Sequence, residues 1–420
     1  MSMLIVLKNR KSLLSIWDFL KGKREVRFIN YLMEINTLKV ECYSSQQQKS
    51  LMLCLNSHYN DYIEDISFDL ALTPNGFSEF ASDSKSLGAY KSMYYPLAWN
   101  IRLVTSNYET FKYSTGKNIT IGIIDSGIDF QHPDLAHNIS SLGGSFISND
   151  DNHYDSLGHG TMIAGIIAAN GDLVGIGPDI KLASYKVFDE GNAYSSAVIK
   201  AIIQAVNDHV DIINISLSTW KSVNENAIIK AYRRAFKYAE DNNVLVVASS
   251  GNEGVDLTPP TNSKEQHGIM IHMPSGFQNV ITVGATTISN CYAPYSNYGS
   301  NITISAPGGD LVVTDNMADL KRFIVTTFPT TIPQSKLSRE MGLKKGFTPM
   351  IGTSLASSHV AAALGVLKSY YLNQYGREPR ISTLKKALVK GSIPLQSSQP
   401  NCYGVGIVNL SNSLKLLQKM

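Results

Sequence analysis

A chain of 420 residues, 43% hydrophobic and 17% charged, exceeds one average domain, so a large α/β domain with a smaller companion is expected. A formal net charge of +3 gives no reason to invoke nucleic acid, and a monomer is expected. Four cysteines, Cys42, Cys54, Cys291 and Cys402, lack C-x-x-C spacing and indicate neither a zinc site nor a disulfide framework; Cys42 and Cys54 could pair with each other, but unpaired buried thiols are expected.

The first 20 residues carry the basic start of a targeting segment, Lys8, Arg10 and Lys11. Their apolar stretch, Ser12 to Leu20, is short and contains Asp18, is followed by Lys21, Lys23, Arg24 and Arg27, and has no small-residue cleavage site. Residues 1–24 are therefore set apart as an atypical amino-terminal segment. The compartment stays open between secreted or cell-surface and cytoplasmic, and no run reaches the ~18 apolar residues of a membrane helix. Residues 25–79 read as a small α+β unit: strands at Val26-Arg-Phe-Ile, Leu38 to Tyr43 and Tyr62 to Phe68, with a helix from Gln46 to Leu55. From Thr73 the chain turns polar and small, and residues 80–97 read as an exposed linker.

From residue 98 onward strands and helices alternate. Ile119, Ile121, Ile123 and Ile124 make a buried strand that stops at Asp125-Ser126-Gly127, placing a carboxylate at a strand's carboxyl end, where open α/β sheets put their sites. In Gly158-His-Gly-Thr161 a histidine stands between two glycines at the mouth of an apolar helix. A strand from Lys181, a helix from Ser195 to Asn207, a strand at Asp211–Leu217, a helix at Asn224–Asn242 and strands at Val244–Ala248 and Val280–Ala285 follow. This alternation predicts right-handed crossovers and a mostly parallel sheet covered on both faces. The strand ending at Ala248 breaks into Ser250-Gly-Asn-Glu-Gly254, aiming the amide of Asn252 from a strand end. The stretch from Asp310 to Phe347, rich in Thr, Lys and Pro, reads as a surface loop.

Gly352-Thr-Ser-Leu-Ala356 then puts the hydroxyl of Ser354 at the start of an almost wholly apolar helix, where free N–H groups and the helix dipole favour a nearby anion. A serine is a weak nucleophile until a base takes its proton and a third group orients that base. Asp125, His159 and Ser354 supply those roles. His359, on the same helix as Ser354, reads as packed rather than catalytic.

With these motifs in the chain order Asp, His, Asn, Ser, the sequence from about residue 98 to the end resembles the subtilisin-type (S8) serine proteases. The resemblance implies a subtilisin-like three-layer α/β fold, catalysis by Asp125, His159 and Ser354, and an oxyanion hole containing Asn252. No cofactor is required, and calcium is left open as a structural ion. Asp134 matches a position that often helps bind it, while the loop Asn170–Gly175 looks short for the family's main site. By position and size, residues 25–79 resemble the inhibitory and folding pro-segment of such zymogens, with Glu79, Lys85 and Lys91 as candidate processing points and a turn at Asn75-Gly76. Ser216, Leu217, Ser218, Ser249, Ser250 and Gly251 would border the substrate pocket. Ser218 stands where the family usually has glycine, which argues for a selective processing enzyme. Among its members the chain most resembles the lantibiotic leader peptidases, whose substrate is a lantibiotic precursor. The alternatives are a broad-specificity protease and a catalytically silent peptide-binding relative.

Overall fold

The computed structural model describes residues 1–69, 71–74, 94–147, 152–189, 193–222, 226–258, 261–262, 269–314, 317–395 and 404–419. Its amino-terminal unit contains β1 (Ser2–Leu7), α1 (Ser12–Lys21), β2 (Val26–Leu32), β3 (Thr37–Cys42), α2 (Ser45–His58) and β4 (Ile63–Phe68). The strands form one antiparallel sheet in the order β2-β3-β1-β4.

The boundary expected at residue 24 is not there, because β1 is an inner strand of that sheet. Successive side chains of a strand point to opposite faces. Met3, Ile5 and Leu7 pack with Ile16, Leu20, Leu51 and Leu55 of α1 and α2, while Leu4 and Val6 join a second core that belongs to the larger domain. A strand buried on both faces has the same continuous apolar composition as a short targeting stretch. Ser12–Leu20 is likewise an amphipathic helix that buries Ile16 and Leu20 one turn apart.

After β5 (Ala71–Pro74) the larger domain comprises α3 (Trp99–Thr105), β6 (Thr120–Asp125), β7 (Ile139–Ser145), α4 (His159–Ala168), β8 (Lys181–Lys186), β9 (Ala193–Tyr194), α5 (Ser195–Asn207), β10 (Ile212–Ile215), β11 (Leu217–Ser222) and α6 (Asn226–Asp241). It continues with β12 (Leu245–Ser249), β13 (Thr261–Asn262), β14 (Ile269–Met273), β15 (Val280–Thr286), β16 (Ile304–Pro307), β17 (Val313–Thr314), β18 (Met317–Ala318), β19 (Ile324–Thr327), α7 (Lys336–Glu340), β20 (Phe347–Met350), α8 (Thr353–Tyr375), α9 (Ile381–Gly391) and α10 (Leu410–Leu417). Seven strands form a parallel sheet, β16-β15-β12-β10-β6-β8-β7. Its two faces are separate cores. Ile121, Ile123, Leu245 and Val247 pack under α4 and α8, whereas Ile124, Val246 and Ala248 pack under α5 and α6.

The stretch Asp310–Phe347, expected as surface loop, contains a buried strand. Ile324, Val325, Thr326 and Thr327 of β19 are all buried and pair antiparallel with β20. The Thr326 and Thr327 hydroxyls donate to the Met162 and Thr161 carbonyls, each at 2.7 Å, so threonines that suggest solvent instead brace α4. Cys42, Cys54 and Cys291 are free thiols, and Cys402 lies outside the described residues. Among the described residues no helix is long and apolar enough to cross a membrane.

Candidate active site

Asp125 ends β6, and His159 is the first residue of α4. The two elements approach closely because Gly160 has no side chain: a Cβ there would strike the Gly127 carbonyl oxygen and crowd the Asp125 Cβ. His159 Nδ1 donates to Asp125 Oδ1 at 2.7 Å, with both side chains buried. That bond fixes the tautomer, leaving Nε2 as the basic nitrogen. Burial pushes the imidazole pKa down, but the Asp125 charge and hydrogen bond outweigh it and hold the pKa above the ordinary histidine value.

A second carboxylate, which sequence reasoning missed, holds this pair in place. Asp155 is fully buried, and its Oδ1 accepts from Ser126 Oγ (2.8 Å), Leu157 N (3.1 Å) and Gly158 N (2.7 Å). Its Oδ2 accepts from Thr161 N (2.9 Å) and Thr161 Oγ1 (2.6 Å). Ser126 Oγ in turn accepts from Gly160 N at 3.0 Å. One carboxylate thus ties the turn after Asp125 to the first turn of the His159 helix. The available signal was an aspartate three residues before a helix-opening glycine, the spacing at which a side chain caps free N–H groups.

Ser354 is the second residue of α8, and its Oγ donates to the Ser216 carbonyl at 3.2 Å. Its neighbour Thr353 orients Asn252: the Thr353 N–H and hydroxyl donate to one end of the amide at 2.9 and 2.8 Å. A backbone N–H can only donate, so that end is Oδ1, and the NH₂ group is turned away from Thr353.

The residues expected to border a substrate pocket fall into different settings. Leu217 and Ser218 lie on β11, opposite Pro74 and Thr73 of β5. The Ser216 hydroxyl is taken by Asn214 Nδ2 (2.8 Å) and Ser357 Oγ (3.1 Å), so it is the backbone carbonyl of Ser216 that meets Ser354. Ser250 likewise turns its hydroxyl to the Asn297 carbonyl at 3.3 Å. Ser249 ends β12, and Gly251 opens the following turn with φ +98°.

His359 is enclosed: its Nδ1 donates to the Leu355 carbonyl at 2.6 Å, and Nε2 accepts from Asn100 Nδ2 at 2.9 Å. Burial pushes its pKa down to about 4, so it is a neutral packing residue. Asp134 Oδ1 accepts from Asp172 N (3.1 Å) and Oδ2 from Leu173 N (2.8 Å), bracing the loop after α4. Among the described residues no cluster of three or more His, Cys, Asp or Glu side chains could hold a metal.

A parallel sheet with an aspartate at a strand end, a histidine hydrogen-bonded to it and a serine opening the adjoining helix defines the class of serine hydrolases. Residues 116–406, more than half of the chain, match the subtilase family model, and the chain belongs to that family of peptide hydrolases. It is 29% identical to the major intracellular serine protease of Bacillus subtilis (strain 168) over 72% of this chain and 85% of that one. It is 27% identical to the epidermin leader peptide-processing serine protease EpiP of Staphylococcus epidermidis over 76% of this chain and 74% of that one. The crystal structure of a lanthipeptide protease superposes with a TM-score of 0.70 at 32% identity, covering 77% of this chain and 95% of that one.

Proposed function

We propose that the protein hydrolyses peptide bonds through Asp125, His159 and Ser354, and that it removes the leader from a lantibiotic-type precursor. Ser354 Oγ bonds to the scissile carbonyl carbon while His159 Nε2 takes its proton. The proton passes to the leaving amine, and water then releases the acyl group by the reverse relay. The Asn252 NH₂ and the Ser354 backbone N–H receive the oxyanion. The observation that carries this reading is the 2.7 Å Asp125–His159 bond, which prepares the histidine as a base.

The leader-peptidase reading draws support from the relatives named for leader processing and from Ser218, whose side chain makes the cleft more selective. The amino-terminal unit acts in this reading as an intramolecular inhibitor. Its strand β5 lies between β11 and β9, the place an extended peptide would take by strand addition. It also caps two helices of the larger domain: Ser67 Oγ accepts from Ile228 N at 3.0 Å, and Asp69 Oδ1 accepts from Ser196 N at 3.0 Å.

The test is fluorophosphonate labelling with a substrate comparison. Stoichiometric attachment at Ser354, its loss in Ser354→Ala, and a single cut in a leader-bearing precursor with casein left largely intact are expected. Indiscriminate casein digestion would reduce the reading to a broad-specificity protease. An absence of labelling once the amino-terminal unit is cleared would leave a peptide-binding relative.

A further inference from the structure

In the proposed hydrolysis the oxyanion is met by two donors from distant parts of the chain, the Asn252 NH₂ in the turn after β12 and the Ser354 N–H at the start of α8. Two such donors help only when both reach one point, about 2.7–3.1 Å from the developing charge. A third segment, residues 294–297, carries neither donor yet is bonded to both turns.

Its grip on the Asn252 turn accounts for the glycines there. Gly251 and Gly254 have φ of +98° and +67°, and a Cβ on Gly251 would lie 2.4 Å from Asn297 Nδ2, one on Gly254 2.8 Å from the Pro294 carbonyl oxygen. Asn297 is fully buried, and its Nδ2 donates to the Ser250 carbonyl at 2.9 Å and to Glu253 Oε2 at 2.5 Å. Its Oδ1 accepts from Val255 N at 3.0 Å, and its backbone N–H donates to the Gly251 carbonyl at 3.0 Å. The Tyr295 carbonyl accepts from Gly254 N at 2.9 Å. A carbonyl can only accept and a backbone N–H only donate, so the Asn297 amide fits in one orientation and holds the chain on both sides of Asn252.

The same segment reaches the nucleophile's turn. The Tyr295 hydroxyl donates to the Gly308 carbonyl at 2.8 Å, with the Gly309 carbonyl at 2.9 Å. The Gly308 carbonyl also accepts from Gly352 N at 2.9 Å, two residues before Ser354. Gly308 N donates to the Thr286 carbonyl (2.9 Å) and Ala285 N to Ser296 Oγ (3.0 Å), so the tyrosine and its acceptor are both anchored to β15.

We propose that Asn297 and Tyr295 are positioning residues for the oxyanion hole. Asn297 fixes the turn that aims the Asn252 amide, and Tyr295 fixes the carbonyl on which the backbone leading to Ser354 hangs. This rests on Asn252 being an oxyanion donor. Because the hole meets full charge only as the tetrahedral intermediate forms, slack in either tie lowers turnover and leaves substrate binding unchanged. A residue that served the fold alone would change the number of active molecules and not the rate of each.

A double-mutant cycle with Asn252→Ala tests this, using full-length protein carried through the same activation, active sites counted by fluorophosphonate, and a peptide p-nitroanilide that the native protein cleaves. Asn297→Ala should lower kcat per labelled site by about 10–10²-fold with KM within roughly twofold, since misplacing a group by about 1 Å can cost 10²-fold. In Asn252→Ala protein the same substitution should cost less than about threefold, because the donor it aims is gone. Tyr295→Phe, which removes one hydroxyl and keeps the ring, should lower kcat by about 3–10-fold in native and Asn252→Ala protein alike, as it acts on the other donor. It leaves every backbone contact in place and decides the matter where Asn297→Ala does not fold. Full multiplication of the Asn297→Ala and Asn252→Ala losses, an effect confined to KM, or an unchanged kcat per labelled site overturns the proposal. Native turnover in Asn252→Ala would instead refute the oxyanion role beneath it.

Discussion

Replacing Asp155 by asparagine keeps the shape of the side chain but leaves one oxygen to serve donors on two sides. With its NH₂ group toward Leu157 and Gly158 it would oppose two backbone N–H groups, so it should turn toward Thr161, where it opposes one. A buried backbone N–H without an acceptor costs about 1–3 kcal/mol, and the remaining bonds weaken by roughly 1 kcal/mol as the charge is lost. Relief of desolvation offsets part of this, since burial already pushes the Asp155 carboxyl pKa up. A net destabilisation of about 2–3 kcal/mol is expected, measured as a lower urea midpoint of Asp155→Asn in the Ser354→Ala background, where self-digestion is absent. In active protein kcat/KM should also fall, because Ser126 and Gly160 lose their common anchor. A loss within about 0.5 kcal/mol, the range of an ordinary surface change, together with unaltered kcat/KM, would refute the reasoning.

Three further outcomes are expected. His159 must be neutral to accept a proton, and its pKa lies above the ordinary 6.5, so kcat/KM should rise with pH through an inflection above that value. Asp125→Asn removes the charge that raises it, leaving burial to lower it: the inflection should fall below 6.5 and turnover drop on the order of 10⁴-fold, whereas a native inflection at or below 6.5 would contradict the geometry. Asn252→Ala should reduce kcat by about 10²–10³ with little change in KM, the loss seen for the corresponding asparagine of subtilisin, and a pure KM effect would count against an oxyanion role. Arg234 donates to the Ile35 carbonyl at 2.8 Å and the Leu7 carbonyl at 3.1 Å and pairs with Glu64. Arg234→Ala in the Ser354→Ala protein should therefore loosen the amino-terminal unit by about 1–3 kcal/mol, read as an earlier first thermal transition, and an unchanged melt would argue that the contact contributes nothing.

The strand-end Asp125, the glycine-flanked His159, the strand-end Asn252 and the helix-opening Ser354 were legible because each is announced by its immediate neighbours. Asp155 was passed over: four of its five donors lie within six residues of it and could have marked a capping aspartate, but the bond from Ser126 that ties it to the Asp125 turn exists only in the folded chain. β1 was missed, and residues 1–24 were set apart, because period-2 alternation disappears when both faces of a strand are buried. β19 was misread for the opposite reason: its threonines satisfy their hydroxyls on α4 carbonyls rather than in water.

The two-sided burial of β1 has a consequence for how the molecule ages. Leu4, Val6, Leu32 and Ile35 sit in the same core as Ala231, Tyr232 and Ala235 of α6. Severing the chain anywhere after β5 and before α3 would remove none of those contacts, so the cut halves should travel together as a nicked pair. Full liberation of the cleft would then wait on destruction of the smaller half, and the delay between nicking and activity would be set by how fast other molecules consume it.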